Sequence, residues 1–209
     1  MKLLLFGSTG LVGRLVLARA LADPRFEAIT ALTRRPLEAH PKLLNPIVDF
    51  DALPEMAPWW AVDAVICTIG TTRRKAGSAA AFFHVDHDYP LAVGGHARRQ
   101  GAHAFVLNSA LGADPASKLL YSRTKGMLER DLAALDFPSL TLVRPGMIGG
   151  AREERRPAEA IASAVLGALA PILPRRYRIN PASTIARVLV DAAAAAIPGR
   201  HVVPSEALV

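Results

Sequence analysis

The sequence predicts an α/β protein built on a doubly wound parallel sheet, with helices on both faces and a short C-terminal cap. Three observations carry that expectation. Short, nearly continuous apolar runs recur along the chain between turn residues, as strands buried on both faces do. Segments with apolar residues at helical spacing separate them, which implies right-handed crossovers and a parallel sheet. The first run turns through three glycines directly into a helix.

Residues 2–6 read as a buried strand and 11–21 as a helix. A second strand, 28–33, ends at the Arg34-Arg35-Pro36 turn, and a short third strand covers 45–50. The fourth, 64–69, runs into a loop containing Gly70 and the Arg73-Arg74-Lys75 cluster. A helix at 85–99, a fifth strand at 104–108, a helix at 121–135 and a sixth strand at 140–143 follow, the last stopped by Arg144-Pro145-Gly146. After residue 151 the character changes: a charged stretch at 152–156, an apolar helix at about 158–169, a proline-rich turn and a helix at 184–195. The expected organisation is one domain, 1–209, with 151–209 as substrate-side cap and C-terminal helix.

Composition narrows the function classes. With 51% hydrophobic and 21% charged residues, long disorder is not expected. The net charge of +7 is spread over scattered pairs and triplets, with no zinc-finger spacing and few aromatics, so nucleic acid is not an expected partner. The apolar run 2–6 is too short for the core of a signal peptide, and no stretch is long enough to span a bilayer, so membrane insertion is not expected. Cys67, the single cysteine, reads as a reduced core thiol, and a cytoplasmic location is expected. His84 and His87, beside Asp86 and Asp88, read as part of an acid-rich first helical turn, and no metal site is expected.

Gly7, Gly10 and Gly13 lie between the first strand and the first helix. One glycine serves the tight turn, one lets backbone approach a pyrophosphate, and one lets helix and strand pack closely. The loop Gly7-Ser8-Thr9-Gly10-Leu11-Val12-Gly13 is therefore expected to hold dinucleotide phosphates at the helix N-terminus. The second strand ends Thr33-Arg34-Arg35, where NAD-selective sites carry an acid; guanidinium forks suit a 2′-phosphate, favouring NADP(H) and leaving NAD(H) open. Asp49 and Phe50 stand where an adenine would be bonded and packed, and Thr68, Ile69 and Gly70 should line the same crevice. Pro145 and Gly146 would border the nicotinamide.

Ser109 follows the fifth strand, and Tyr121 and Lys125 lie one helical turn apart on one face. Hydride exchange with a carbonyl needs a proton at the substrate oxygen. A tyrosine, with an ordinary pKa near 10, needs a cation beside it to exchange protons at neutral pH. Lys125 supplies that charge and a bond to ribose, while Ser109 would hold the substrate oxygen. Arg73-Arg74-Lys75, at the carboxyl edge of the sheet, reads either as a screen for an anionic substrate or cofactor phosphate, or as a solvated loop.

Together, 7–14, 33–36, 48–50, 67–77, 85–89, 109–125 and 144–146 resemble the atypical short-chain dehydrogenases/reductases, in the branch of Tat-interacting-protein-like oxidoreductases. The resemblance covers most of the chain up to about residue 150. It implies a Rossmann-like fold, NADPH binding, catalytic Ser109, Tyr121 and Lys125, and a 2′-phosphate on Arg34 and Arg35. Asp86 stands where many related enzymes carry an asparagine that relays protons, and the C-terminal part is too short for a large sugar-nucleotide lobe. The expected activity is NADPH-dependent reduction of a small carbonyl compound. The alternatives are an NADPH-dependent redox-sensing or regulatory binding protein and, behind it, a nucleotide-sugar epimerase. The apolar helix around 160–169 leaves a homo-oligomer open.

Overall fold

The computed structural model describes residues 1–150 and 174–209, so the charged stretch 152–156 and the apolar helix at 158–169 lie outside the described residues. The strands in chain order are β1 (Lys2–Phe6), β2 (Ala28–Leu32), β3 (Leu43–Leu44), β4 (Ala64–Cys67), β5 (Ala104–Asn108), β6 (Ser139–Arg144), β7 (Ile148–Gly149), β8 (Asn180–Pro181) and β9 (Gly199–Pro204). Seven of them form one sheet in the order β3-β2-β1-β4-β5-β6-β9, every neighbour parallel. β7 and β8 pair separately. Among the described residues the α-helices are α1 (Leu11–Ala22), α2 (Arg73–Ala76), α3 (Ala79–Phe83), α4 (Tyr89–Arg99), α5 (Leu120–Ala133) and α6 (Ala182–Ala195).

The strands are apolar throughout because the sheet is covered on both faces. Leu3, Leu5, Ile29, Ile66 and Val106 join α1 and α6 in one core; Leu4, Phe6, Val65, Cys67 and Phe105 join α4 and α5 in the other. Strand order reverses between β1 and β4, and the aligned pair Phe6 and Cys67 ends both strands there. Ligands of open α/β sheets bind at such a switch point, beyond the carboxyl ends of the strands.

Three expectations need correction. The third strand is the two residues of β3 rather than 45–50. Beyond it, Asn45 turns its side chain onto the backbone, donating to the Ala31 carbonyl (2.6 Å) and the Thr33 hydroxyl (2.8 Å), and one bridge, Thr33–Ile47, remains. The helix expected at 85–99 begins earlier and contains a π-helical turn, His84–Asp88, between α3 and α4. Pro90 explains it: an α-helix would bond residue 90 to the Asp86 carbonyl, proline has no N–H, and its ring crowds that oxygen. The stretch 199–204 is also a strand of the main sheet rather than part of a cap. Residues 182–195 form α6, packed against α1 and the sheet, and 199–204 form β9, which extends the sheet beyond β6.

Candidate active site

The glycine loop is shaped by contacts within the fold. Gly7 has φ +99°, and a Cβ there would sit 2.5 Å from the Ile69 nitrogen. A Cβ on Gly13 would lie 2.0 Å from the Gly7 carbonyl oxygen. Both glycines let β1, β4 and α1 converge. Gly10 differs, since a Cβ would meet only the Gly7 oxygen at 3.6 Å, an ordinary contact. Nothing in the fold requires glycine at position 10, whereas a phosphate lying against the loop does. The Ser8 hydroxyl is buried without a hydrogen-bond partner among the described residues, and the N-cap of α1 is Gly10, which offers no side-chain cap. These features fit a dinucleotide pyrophosphate.

From this loop a cleft of about 650 Å³ extends along the carboxyl edge. Thr9, Gly10, Leu11 and Val12 line one wall, with Arg35 at the end of β2. Thr68, Ile69 and Gly70 follow β4; Ser109, Tyr121 and Lys125 form the opposite wall, beside Pro145 and Gly146. Five expected residues sit outside or beneath the lining along with Gly7 and Gly13. Ser8 is buried under the loop. Thr33 is buried beneath Arg35, donating its hydroxyl to the Arg35 carbonyl at 2.7 Å. Arg34 is exposed on the same turn. Asp49 is exposed and accepts from the Asp51 N–H, and Phe50 packs edge-on against Phe6 with ring centroids 5.0 Å apart. Of the basic cluster after β4, Lys75 lines the cleft, on a short helix capped by the Thr72 hydroxyl.

Tyr121 is half exposed at the mouth, its ring 6.2 Å from that of Phe82. Lys125, one turn further along α5, is buried with its Nζ 2.9 Å from Asp86 Oδ1. Asp86 is wholly buried, and its other oxygen accepts from the Thr71 N–H at 2.7 Å. Burial alone disfavours the Lys125 ammonium, but Asp86, with smaller contributions from Tyr121 and Cys67, outweighs it, and the lysine pKa lies above its ordinary value. Asp86 therefore belongs to the cleft floor, not to an exposed first helical turn.

Ser109 is buried, and its hydroxyl donates to Glu129 Oε1 at 2.5 Å. Glu129 is buried on α5 and also accepts from the Arg144 guanidinium, through Nε at 2.9 Å and through Nη2. The serine hydroxyl thus points into an ionic network joining α5 and β6. Cys67 is free and buried at the end of β4, and burial pushes its thiol up to about 11, which keeps it protonated.

Sequence reasoning missed Asn108, Glu129 and Arg14 at this site. Asn108 ends β5 in the cleft, its Oδ1 buried without a partner among the described residues. An amide closing an apolar strand at the carboxyl edge was the available signal. Glu129 lies four residues after Lys125 and eight after Tyr121, on the same helical face. Arg14 follows the third glycine directly.

No protein-family model matches the chain. It is 35% identical over 192 residues to Protein HTATIP2 of Rattus norvegicus, covering 90% of this chain and 78% of that protein. It is 37% identical over 176 residues to the mitochondrial protein fmp52 of Emericella nidulans, covering 80% of this chain and 76% of that protein. Among solved structures, MoeE5 in complex with UDP-glucose and NAD is similar at TM-score 0.72 and 16% identity, over 97% of this chain and 75% of that one, a likeness of fold. The cytoplasmic expectation is corrected by the fungal relatives, several of which are named as mitochondrial proteins.

Proposed function

We propose that this chain, which belongs to the HTATIP2 and FMP52 family of atypical short-chain dehydrogenases/reductases, is an NADP(H)-dependent oxidoreductase acting on a small carbonyl compound. The observation that carries the reading is one cleft lined by Gly10, Arg35, Tyr121 and Lys125. When bound, the dinucleotide supplies or accepts the hydride. Tyr121 exchanges the proton with the substrate oxygen, and its place at the mouth gives it access to both substrate and water. Lys125 sets a cation one helical turn from the phenol, which suits a proton transfer that leaves negative charge on the reacting oxygens. Arg35 and Lys75 give the mouth a positive field suited to a 2′-phosphate, and Arg34 stands on the same turn. Asp49 and Phe50, close to this end, are assigned to the adenine. Ser109 reaches a substrate oxygen once its hydroxyl turns away from Glu129.

That last requirement favours a second reading, in which NADPH occupancy orders the surface for a partner with little turnover. Replacing Tyr121 with Phe separates the two. The oxidoreductase reading expects kcat against a carbonyl panel to fall by about 10²–10⁴-fold while NADPH affinity, read by fluorescence titration, stays near that of the native protein. Full activity in the variant removes Tyr121 as the acid. Tight NADPH binding by the native protein with no oxidation across the panel selects the binding role.

A further inference from the structure

Lys125 and Asp86 form a buried pair of opposite charges, and each has few alternatives to the other. Lys125 is 3% exposed and Asp86 is 0% exposed. An ammonium stripped of water at that depth tends to shed its proton unless a counter-charge holds it. The groups facing Lys125 are Tyr121 and Glu129 on its own helix, Asp86 from the π-helical turn, Cys67 at the end of β4, and Arg14, Arg35 and Lys75 in the cleft. Cys67 is neutral, the cleft's other basic groups repel the ammonium, and Glu129 is engaged by Arg144 and Ser109. Asp86 is left as the carboxylate in contact with Lys125.

The fold spends a special feature to put it there. The π turn at His84–Asp88 carries the Asp86 side chain inward, where one oxygen meets Lys125 at 2.9 Å and the other the Thr71 N–H at 2.7 Å. A carboxylate donates no hydrogen bond; here one oxygen is held by the Thr71 N–H and the other faces the Lys125 ammonium, which leaves no donor to pass a proton along this helix.

We propose that Asp86 is the counter-ion that keeps Lys125 protonated at the cleft floor, and that it replaces a proton relay at this position. Asp86 is a positioning residue: it acts on Tyr121 through Lys125. The functional consequence rests on the Tyr121 and Lys125 assignment above, whereas the charge state of Lys125 is measurable without turnover.

The test follows the Lys125 titration by NMR in the full-length, ligand-free protein carrying ¹³Cε-lysine, the resonance being assigned by its loss in Lys125→Met. In Asp86→Asn the Lys125 midpoint should fall by about two pH units or more, the scale expected when a buried lysine loses its counter-charge. The basic limb of the pH–rate profile should move down with it. If circular dichroism shows that Asp86→Asn does not fold, Asp86→Ser, which is smaller, serves in its place. A lower melting temperature with an unmoved Lys125 midpoint assigns Asp86 a purely structural role and overturns the proposal. A shifted midpoint in a protein that turns over no carbonyl supports the counter-ion and removes the reductase reading instead.

Discussion

The two walls of the cleft are built by different physics. On the glycine-loop wall, position is set by backbone against backbone: Gly7 and Gly13 are required because any Cβ would overlap main-chain atoms. On the Tyr121 wall, position is set by buried charge: Lys125 against Asp86, and Glu129 against Arg144 with the Ser109 hydroxyl. A steric wall is rigid whatever the pH or ionic state. An ionic wall depends on each partner keeping its charge, and losing one partner strands the other in a dry interior. The contrast suits the proposed function, in which phosphates need a fixed cradle and proton exchange needs groups whose charge states are tuned to one another.

The largest expected effect lies on the ionic wall. Glu129→Ala leaves Arg144 and the Ser109 hydroxyl without their shared acceptor and should destabilise the fold by about 3 kcal/mol, the lower end for breaking a buried pair, because Arg144 is partly exposed. Glu129→Gln retains an acceptor and should lose less. Urea unfolding of the two variants measures both. A loss below about 1 kcal/mol for Glu129→Ala would mean that packing rather than charge holds this wall.

The steric wall is tested by two glycines three residues apart. Gly13→Ala pushes a methyl into the Gly7 carbonyl and should lower stability by about 1–3 kcal/mol, with weaker dinucleotide binding because α1 is displaced. Gly10→Ala has no such clash, so its stability should change by no more than about 0.5 kcal/mol. Its NADPH affinity should nevertheless fall, since the added methyl occupies the space assigned to the pyrophosphate. Thermal denaturation with an NADPH titration reads both. Equal affinity in Gly10→Ala and the native protein would break the assignment of the loop.

The two walls also differed in how legible they were. The glycine loop was readable because its requirement is local: a strand, a turn and a helix within a dozen residues. The apolar strands β1, β4, β5 and β6 were readable for the same reason, β1 and β5 to the residue and β4 and β6 with ends off by one or two. Asp86 was read as a helix-start acid because its partners, Lys125 and Thr71, come from other elements, although Pro90 marked the helix as irregular four residues later. Glu129 carried its helical spacing openly, but its meaning needed Arg144 from β6 and Ser109 after β5. β9 escaped because an edge strand with Arg200, His201 and the exposed Val202 has no apolar run to betray it.

An ion pair set in water gives the floor against which the buried pairs are judged. The His84 ring lies between Asp88 (Nδ1, 2.9 Å) and Asp51 (Nε2, 2.7 Å) and is half exposed. Its hydrogen bonds to Asp88 and Asp51 raise the imidazole above its ordinary pKa, while His84 holds the Asp51 carboxyl below the usual range. A raised histidine contributes stability that is fully present below about pH 6.5 and is lost as pH rises through its folded value. A lowered carboxylate contributes above about pH 4 and loses its share as pH falls through its own folded value. The interaction is therefore complete between about pH 4 and 6.5. Solvent screening keeps it small, so His84→Ala should lower the melting temperature by roughly 1–2 °C at about pH 5.5 and leave it unchanged at about pH 9. An equal drop at both pH values would trace the loss to the contact of the His84 ring with Tyr89, at 4.6 Å between centroids, rather than to charge. That would place this pair with the steric wall despite its two carboxylates.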